Sequence, residues 1–201
     1  MKNIFTVIAA VSTAAILSGF TNTAFAQADA GLATQFVDQA KSAGDSQLGV
    51  IASELTGKMQ AFGALLGTNA AIKETLDSTL KSLTGGKDSE ALASAFKLAE
   101  AAKFTPAQLG LAKQVGNLAS AYVVQKNFAT LEGAQGDVAT IVSSLRDGKI
   151  KSAIPSLKNV AQNGQLTDGQ KQIITTVADK YAPGWKAAKN ALDSVRKLPG
   201  F

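Results

Sequence analysis

Apolar residues recur along this chain at helical intervals. Val138, Ile141, Val142 and Leu145 fall at i, i+3, i+4 and i+7, which places four side chains on one face of a helix. Ile150, Ala153, Ile154 and Leu157 repeat the pattern, and Leu92, Ala95, Phe96 and Ala99 follow it again. Leu111, Val115, Leu118 and Tyr122 mark another helix. Leu48, Ile51, Ala52, Leu55, Met59 and Phe62 mark a long one before it, and Trp185, Ala188, Leu192 and Val195 a last one. No segment alternates apolar with polar for long enough to argue a strand. Alanine is frequent, and Gly or Pro interrupts at helix-length intervals. The pattern predicts an all-α fold of eight or nine helices, closed into a bundle or stacked like an α-solenoid.

A shift of 62 positions brings two parts of the chain into register without a gap. Ser82-Leu83 falls on Ser144-Leu145, Gly86-Lys87 on Gly148-Lys149, Thr105 on Thr167 and Gln108 on Gln170. A glycine turn and a Thr-x-x-Gln start are not helix-interior features, so the match is more than shared alanine. The register predicts a duplicated three-helix unit, with copies at 76–122 and 138–184. Each copy reads as helix, Gly-Lys turn, helix, loop and capped helix. Thr105 and Thr167 can accept from the backbone three residues on, while Gln108 and Gln170 reach back, which makes two capping boxes. N-terminal helices at 27–69 and a C-terminal helix at 185–201 flank the copies, giving one helical domain over 27–201.

The first 26 residues follow a different pattern. Lys2 precedes an apolar run from Ile4 to Leu17, a more polar stretch follows, and Ala24-Phe25-Ala26 supplies small residues before Gln27. These are the three parts of a secretory signal peptide over 1–26. The run is shorter than the ~20 residues that span a bilayer, and no later stretch is apolar for that long. The expected product is exported to the periplasm or the extracellular space, starts at Gln27 and has no membrane span.

Composition narrows the chemistry. The chain has no His and no Cys. Zinc, copper and iron–sulfur sites therefore lose their usual ligands, and Ser-His-Asp and Cys-His catalysis are excluded. Carboxylate-only catalysis and Ca²⁺ or Mg²⁺ sites survive that filter. From Arg146 onward, ten Lys and Arg face four Asp, a net +6 in a mature chain of net +4. A basic final third suits a polyanionic partner.

The individual motifs are weak. Gly85-Gly86-Lys87 and Gly148-Lys149 lack the Ser or Thr and the preceding strand of a phosphate loop, so they read as left-handed helix stops. Ser78/Lys81, Ser94/Lys97 and Ser194/Lys197 are Ser-x-x-Lys spacings without the companion elements of a Ser–Lys enzyme. Asp88/Glu90 sit at a helix start, and Glu74/Asp77 pair with nearby lysines on a helix surface. Glu132 and Asp137, around Gly133 and Gly136, are the best carboxylates for a weak Ca²⁺ contact but lack the calcium-loop pattern. Gly63 and Gly67 form a G-x-x-x-G that reads as a close helix crossing. Asn117–Asn127 reads as a central buried helix with its amides satisfied.

One surface stands out as an interaction patch: Tyr181 and Trp185 among Lys186, Lys189, Arg196 and Lys197. The expected function is that of a non-enzymatic binding or structural component of the cell envelope or extracellular space. Its partner would be a protein or an anionic envelope component, with no specific nucleic acid, no cofactor and no metal. The alternative is a periplasmic carrier of an apolar small molecule or lipid.

Overall fold

The computed structural model describes residues 27–67, 69–100 and 104–182. Eight helices fill them, with no strand among the described residues, and they pack as a helical bundle. In chain order they are α1 Gln27–Ser42, α2 Ser46–Leu65, α3 Ala70–Thr84, α4 Asp88–Glu100, α5 Pro106–Phe128, α6 Gln135–Arg146, α7 Ile150–Ala161 and α8 Asp168–Tyr181. The leader expected at 1–26 and the helix expected at 185–201 lie outside the described residues. No described helix is long and apolar enough to cross a membrane.

Helix α5 is the axis. It packs against α2, α4, α6 and α8, while α1 bridges α2 and α3 on one side and α7 bridges α6 and α8 on the other. Ala112, Val115, Ala119, Ala121, Val123, Val124 and Phe128 on α5 are fully buried. A helix enclosed on several sides has no single apolar stripe, so periodicity alone undercounts its core. The predicted stripes elsewhere are buried as expected: Ile51, Leu55 and Phe62 on α2, Leu92 and Ala95 on α4, Ile141 and Leu145 on α6. Burying a side chain of this size stabilises by about 1.5–3 kcal/mol, which makes this apolar interior the dominant favourable contribution.

The helix ends explain the order of elements. α3 stops in a Schellman turn, in which Lys87 N–H donates to Ser82 O at 2.8 Å and Gly86 N–H to Leu83 O at 3.2 Å. α6 stops the same way, with Lys149 N–H on Ser144 O at 2.8 Å and Gly148 N–H on Leu145 O at 3.1 Å. Gly86 and Gly148 sit at φ +71° and +70°, which side chains with a Cβ rarely adopt. Thr105 and Thr167 each form a complete capping box with Gln108 and Gln170. Gly67, at φ +56°, lies just past the end of α2, and Gly63 is buried within it.

Position 76 falls inside α3 and position 122 inside α5. The two stretches also differ in their surroundings, since α6 lies broadly along α5 whereas α3 scarcely touches α2.

Candidate functional site

The described polar side chains gather at joints between helices rather than in a cleft. The strongest joint is at the start of α4. Asp88 follows the Schellman turn and is buried, accepting from Lys126 Nζ at 2.9 Å and Asn127 Nδ2 at 2.8 Å. The Asn127 backbone carbonyl then accepts from Gln170 Nε2 of α8 at 2.7 Å. One end of the bundle thus ties α4, α5 and α8 together. Asp88 had been expected only to complement a helix dipole. Its larger role is this brace, whose partners are distant in sequence.

A second joint holds the far end of α8. The Tyr181 hydroxyl donates to Asn117 Oδ1 at 2.9 Å and lies 3.3 Å from Ser120 Oγ, which itself donates to Gly116 O. The Tyr181 ring meets Phe96 edge-on, with centroids 5.7 Å apart. Lys180 Nζ stands 5.3 Å above the Phe96 ring and reaches Glu100 at 2.7 Å. That contact, chiefly its hydrogen bond, lowers the Glu100 pKa below the ordinary value. Burial pushes the Tyr181 hydroxyl up to about 12. Burial does the same to Tyr122, with help from the nearby Asp88 charge.

Of the six residues expected to form an interaction patch, Tyr181 is turned inward and works as a brace. Trp185, Lys186, Lys189, Arg196 and Lys197 lie outside the described residues. The reading of Asn117–Asn127 as a central helix with satisfied amides agrees with the geometry. Gln125 Nε2 donates to Asp45 Oδ2 at 2.7 Å, while Asp45 Oδ1 caps α2 through Gln47 N–H at 2.8 Å. A single carboxylate therefore both starts α2 and fixes it to α5.

The weaker candidates stay apart. Glu74, Asp77 and Ser78 border an open groove of about 520 Å³ beside the α3–α4 turn, together with Lys81, Lys87 and Glu90. A second open groove of about 360 Å³ lies where α4 and α8 begin, lined in part by Ser89, Asn127 and Thr167. Asp137 accepts from Asn159 at 3.2 Å, and the Glu132 backbone carbonyl from Asn163. Among the described residues no group of three or more carboxylates is placed to hold a metal ion. Arg146 Nη2 and Nε grip Glu54 at 2.6 and 3.0 Å, joining α6 to α2 across 92 residues and raising the guanidinium pKa chiefly through that bond.

On the second hairpin, two basic side chains carry no such joint. α7 bears Lys151 and Lys158 and no carboxylate, whereas α4 bears Asp88, Glu90 and Glu100 against Lys97. Lys151 and Lys158 are exposed and have no ion-pair partner among the described residues. Lys149 pairs with Asp147 at 3.0 Å, but both side chains are more than half exposed, so that contact is weak. No protein-family model, no curated protein and no solved structure matches this chain.

Proposed function

We propose that this chain is an exported, non-enzymatic helical protein that serves as a binding or structural component of the cell envelope or extracellular space. The observation that carries the reading is the division of labour among polar groups. Asp45, Asp88, Asn117, Gln125, Asn127 and Tyr181 are taken up in fixing one helix to another. On the α6–α7 hairpin the charged side chains with no ion-pair partner among the described residues include Lys151 and Lys158, and they belong to the final third, whose sequence carries a net +6. That surface suits an anionic envelope component. The carrier alternative gains less support, because charged Glu74, Lys81, Lys87 and Glu90 line the larger groove.

The duplication belongs to the same proposal. The spacing of 62 that aligns the two Schellman turns and the two capping boxes also relates two further bonds. Gln108 Nε2 donates to Leu65 O at 2.8 Å, and Gln170 Nε2 donates to Asn127 O at 2.7 Å. We read the α3–α4 and α6–α7 hairpins as copies of one unit, in which α4 is braced to α5 through Asp88 while α7 keeps Lys151 and Lys158 at the surface.

The test combines location with binding. N-terminal sequencing of the exported protein should begin at Gln27, and it should sediment with anionic vesicles or envelope polymer at about 0.1 M salt but not at about 1 M. Over that range the screening length falls from about 10 Å to about 3 Å. A product that retains Met1, or one that ignores anionic surfaces at low salt, would contradict the proposal.

A further inference from the structure

We infer that the outer face of the α6–α7 hairpin is a docking surface for an anionic phospholipid membrane, an inference that rests on the binding function proposed above. The outer crest of α7 is formed by Lys151, Pro155, Lys158 and Gln162, all exposed and within a narrow arc of the helix. The opposite face, with Ala153, Leu157 and Val160, is buried. Seven residues at helical rise place the two lysine backbones about 10 Å apart along one line. Beside them α6 exposes Ala139, Thr140 and Ser143, which are small and uncharged. Of the hairpin's two carboxylates, Asp147 pairs with Lys149, and Asp137 accepts from the neutral Asn159 amide and keeps its charge.

Position for position at the spacing of 62, the first hairpin has the opposite character. Asp88 corresponds to Ile150, Glu90 to Ser152 and Glu100 to Gln162, while Ser89 and Phe96 correspond to Lys151 and Lys158. Every α4 carboxylate is absent from α7, and both α7 lysines stand where α4 has no charge. The result is an α7 crest that carries two lysines and no carboxylate, complementary to a plane of negative headgroups. A single nucleic-acid strand asks for a groove with aromatic stacking platforms, and α6 and α7 contain no aromatic residue. A membrane surface is therefore the partner that the face fits.

The experiment is co-sedimentation of protein expressed from the whole chain and purified without detergent. It uses phosphatidylglycerol–phosphatidylcholine vesicles, pure phosphatidylcholine vesicles, and heparin beads as the polymer arm. Wild type should bind the anionic vesicles at low salt and leave the neutral ones. Lys151→Gln with Lys158→Gln should weaken vesicle binding about 30-fold, from roughly 5-fold per lysine close to an anionic surface. Lys41→Gln with Lys58→Gln, on α1 and α2, should change it much less. Circular dichroism should show all variants folded. If wild type binds but the α7 variant binds equally well, or the control pair costs as much, the α7 face is wrong while the binding function stands. Binding to heparin without binding to vesicles overturns the membrane as partner. If wild type binds no anionic surface, the binding function falls and the inference with it.

Discussion

The residue after the Gly86-Lys87 turn is Asp88, and the residue after the Gly148-Lys149 turn is Ile150. Both turns have the same backbone hydrogen bonds, and both lead into a helix of similar length. Asp88 is drawn inward by Lys126 and Asn127, and it anchors α4 to α5 by charge and hydrogen bonds. α7 has no such anchor, and its buried face of Ala153, Leu157 and Val160 is chiefly apolar. The comparison teaches that one backbone plan can be stabilised in two ways. α4 adds a polar brace to its apolar face and commits Asp88 to the fold, whereas α7 relies on its apolar face and keeps Lys151 and Lys158 at the surface.

The largest expected effect comes from alkaline pH, because both tyrosines of the chain lie beside the first hairpin. Tyr181 packs on Phe96, and Tyr122 lies near the Asp88 charge. Each hydroxyl rises from 10.0 to about 12 on folding. The unfolded chain releases those protons first, so this contribution is complete below pH 10 and is lost as pH climbs toward about 12. Each pKa unit corresponds to about 1.4 kcal/mol per ring. Urea titrations across this range should show stability falling steeply, and Tyr181→Phe should shallow the slope by about half. An unchanged slope in that variant would remove Tyr181 from the brace.

Asp88→Ala should cost about 2 kcal/mol, since it removes one of the two hydrogen bonds of the partly buried Asn127 amide, which keeps its bond to Val123 O, and releases Lys126. The value stays below that of a fully buried pair because the Lys126 side chain is one-third exposed and can reach water. Ile150→Ala should instead lose only apolar contact and leave the α5 amides undisturbed. Equal amide-proton protection at Asn127 in the two variants would erase the contrast between the hairpins.

Gly86→Ala and Gly148→Ala should each cost about 1–2 kcal/mol, the penalty of a left-handed backbone with a Cβ. The two costs should agree closely, because neither added Cβ would meet anything nearer than 3.9 Å. Thr105→Ala and Thr167→Ala should each cost on the order of 1 kcal/mol through the lost cap. A large mismatch within either pair, measured by denaturant midpoint, would show that the repeated local geometry is not energetically repeated. Smallest of all, Lys151→Gln with Lys158→Gln should shift stability by no more than about 0.5 kcal/mol, as expected for exposed positions.

These contrasts also explain what the sequence could reveal. The helices, both glycine turns and both capping boxes are local, set by residues three to six positions apart, and they were legible. The braces were not. Asp88 and Lys126 are 38 residues apart, and Tyr181 and Asn117 are 64 apart. A lone Asp at a helix start looks the same whether it faces water or a distant lysine. Tyr181 looked like a surface aromatic because lysines surround it in the chain, while in the fold Phe96 and Asn117 receive it. The basic bias of the final third was visible in composition. That Lys151 and Lys158 share the exposed face of α7 emerges only once the buried side of that helix is known.

The central claim is that the two hairpins share a backbone plan but only the second meets a partner surface. Backbone amide NMR during titration with phosphatidylglycerol-containing nanodiscs tests it residue by residue. The account predicts intensity loss along the α6–α7 outer face, centred on Lys151 and Lys158, with the α3–α4 amides from Ser78 to Glu100 unaffected. Loss centred on α3–α4, or spread evenly over the bundle, would contradict it.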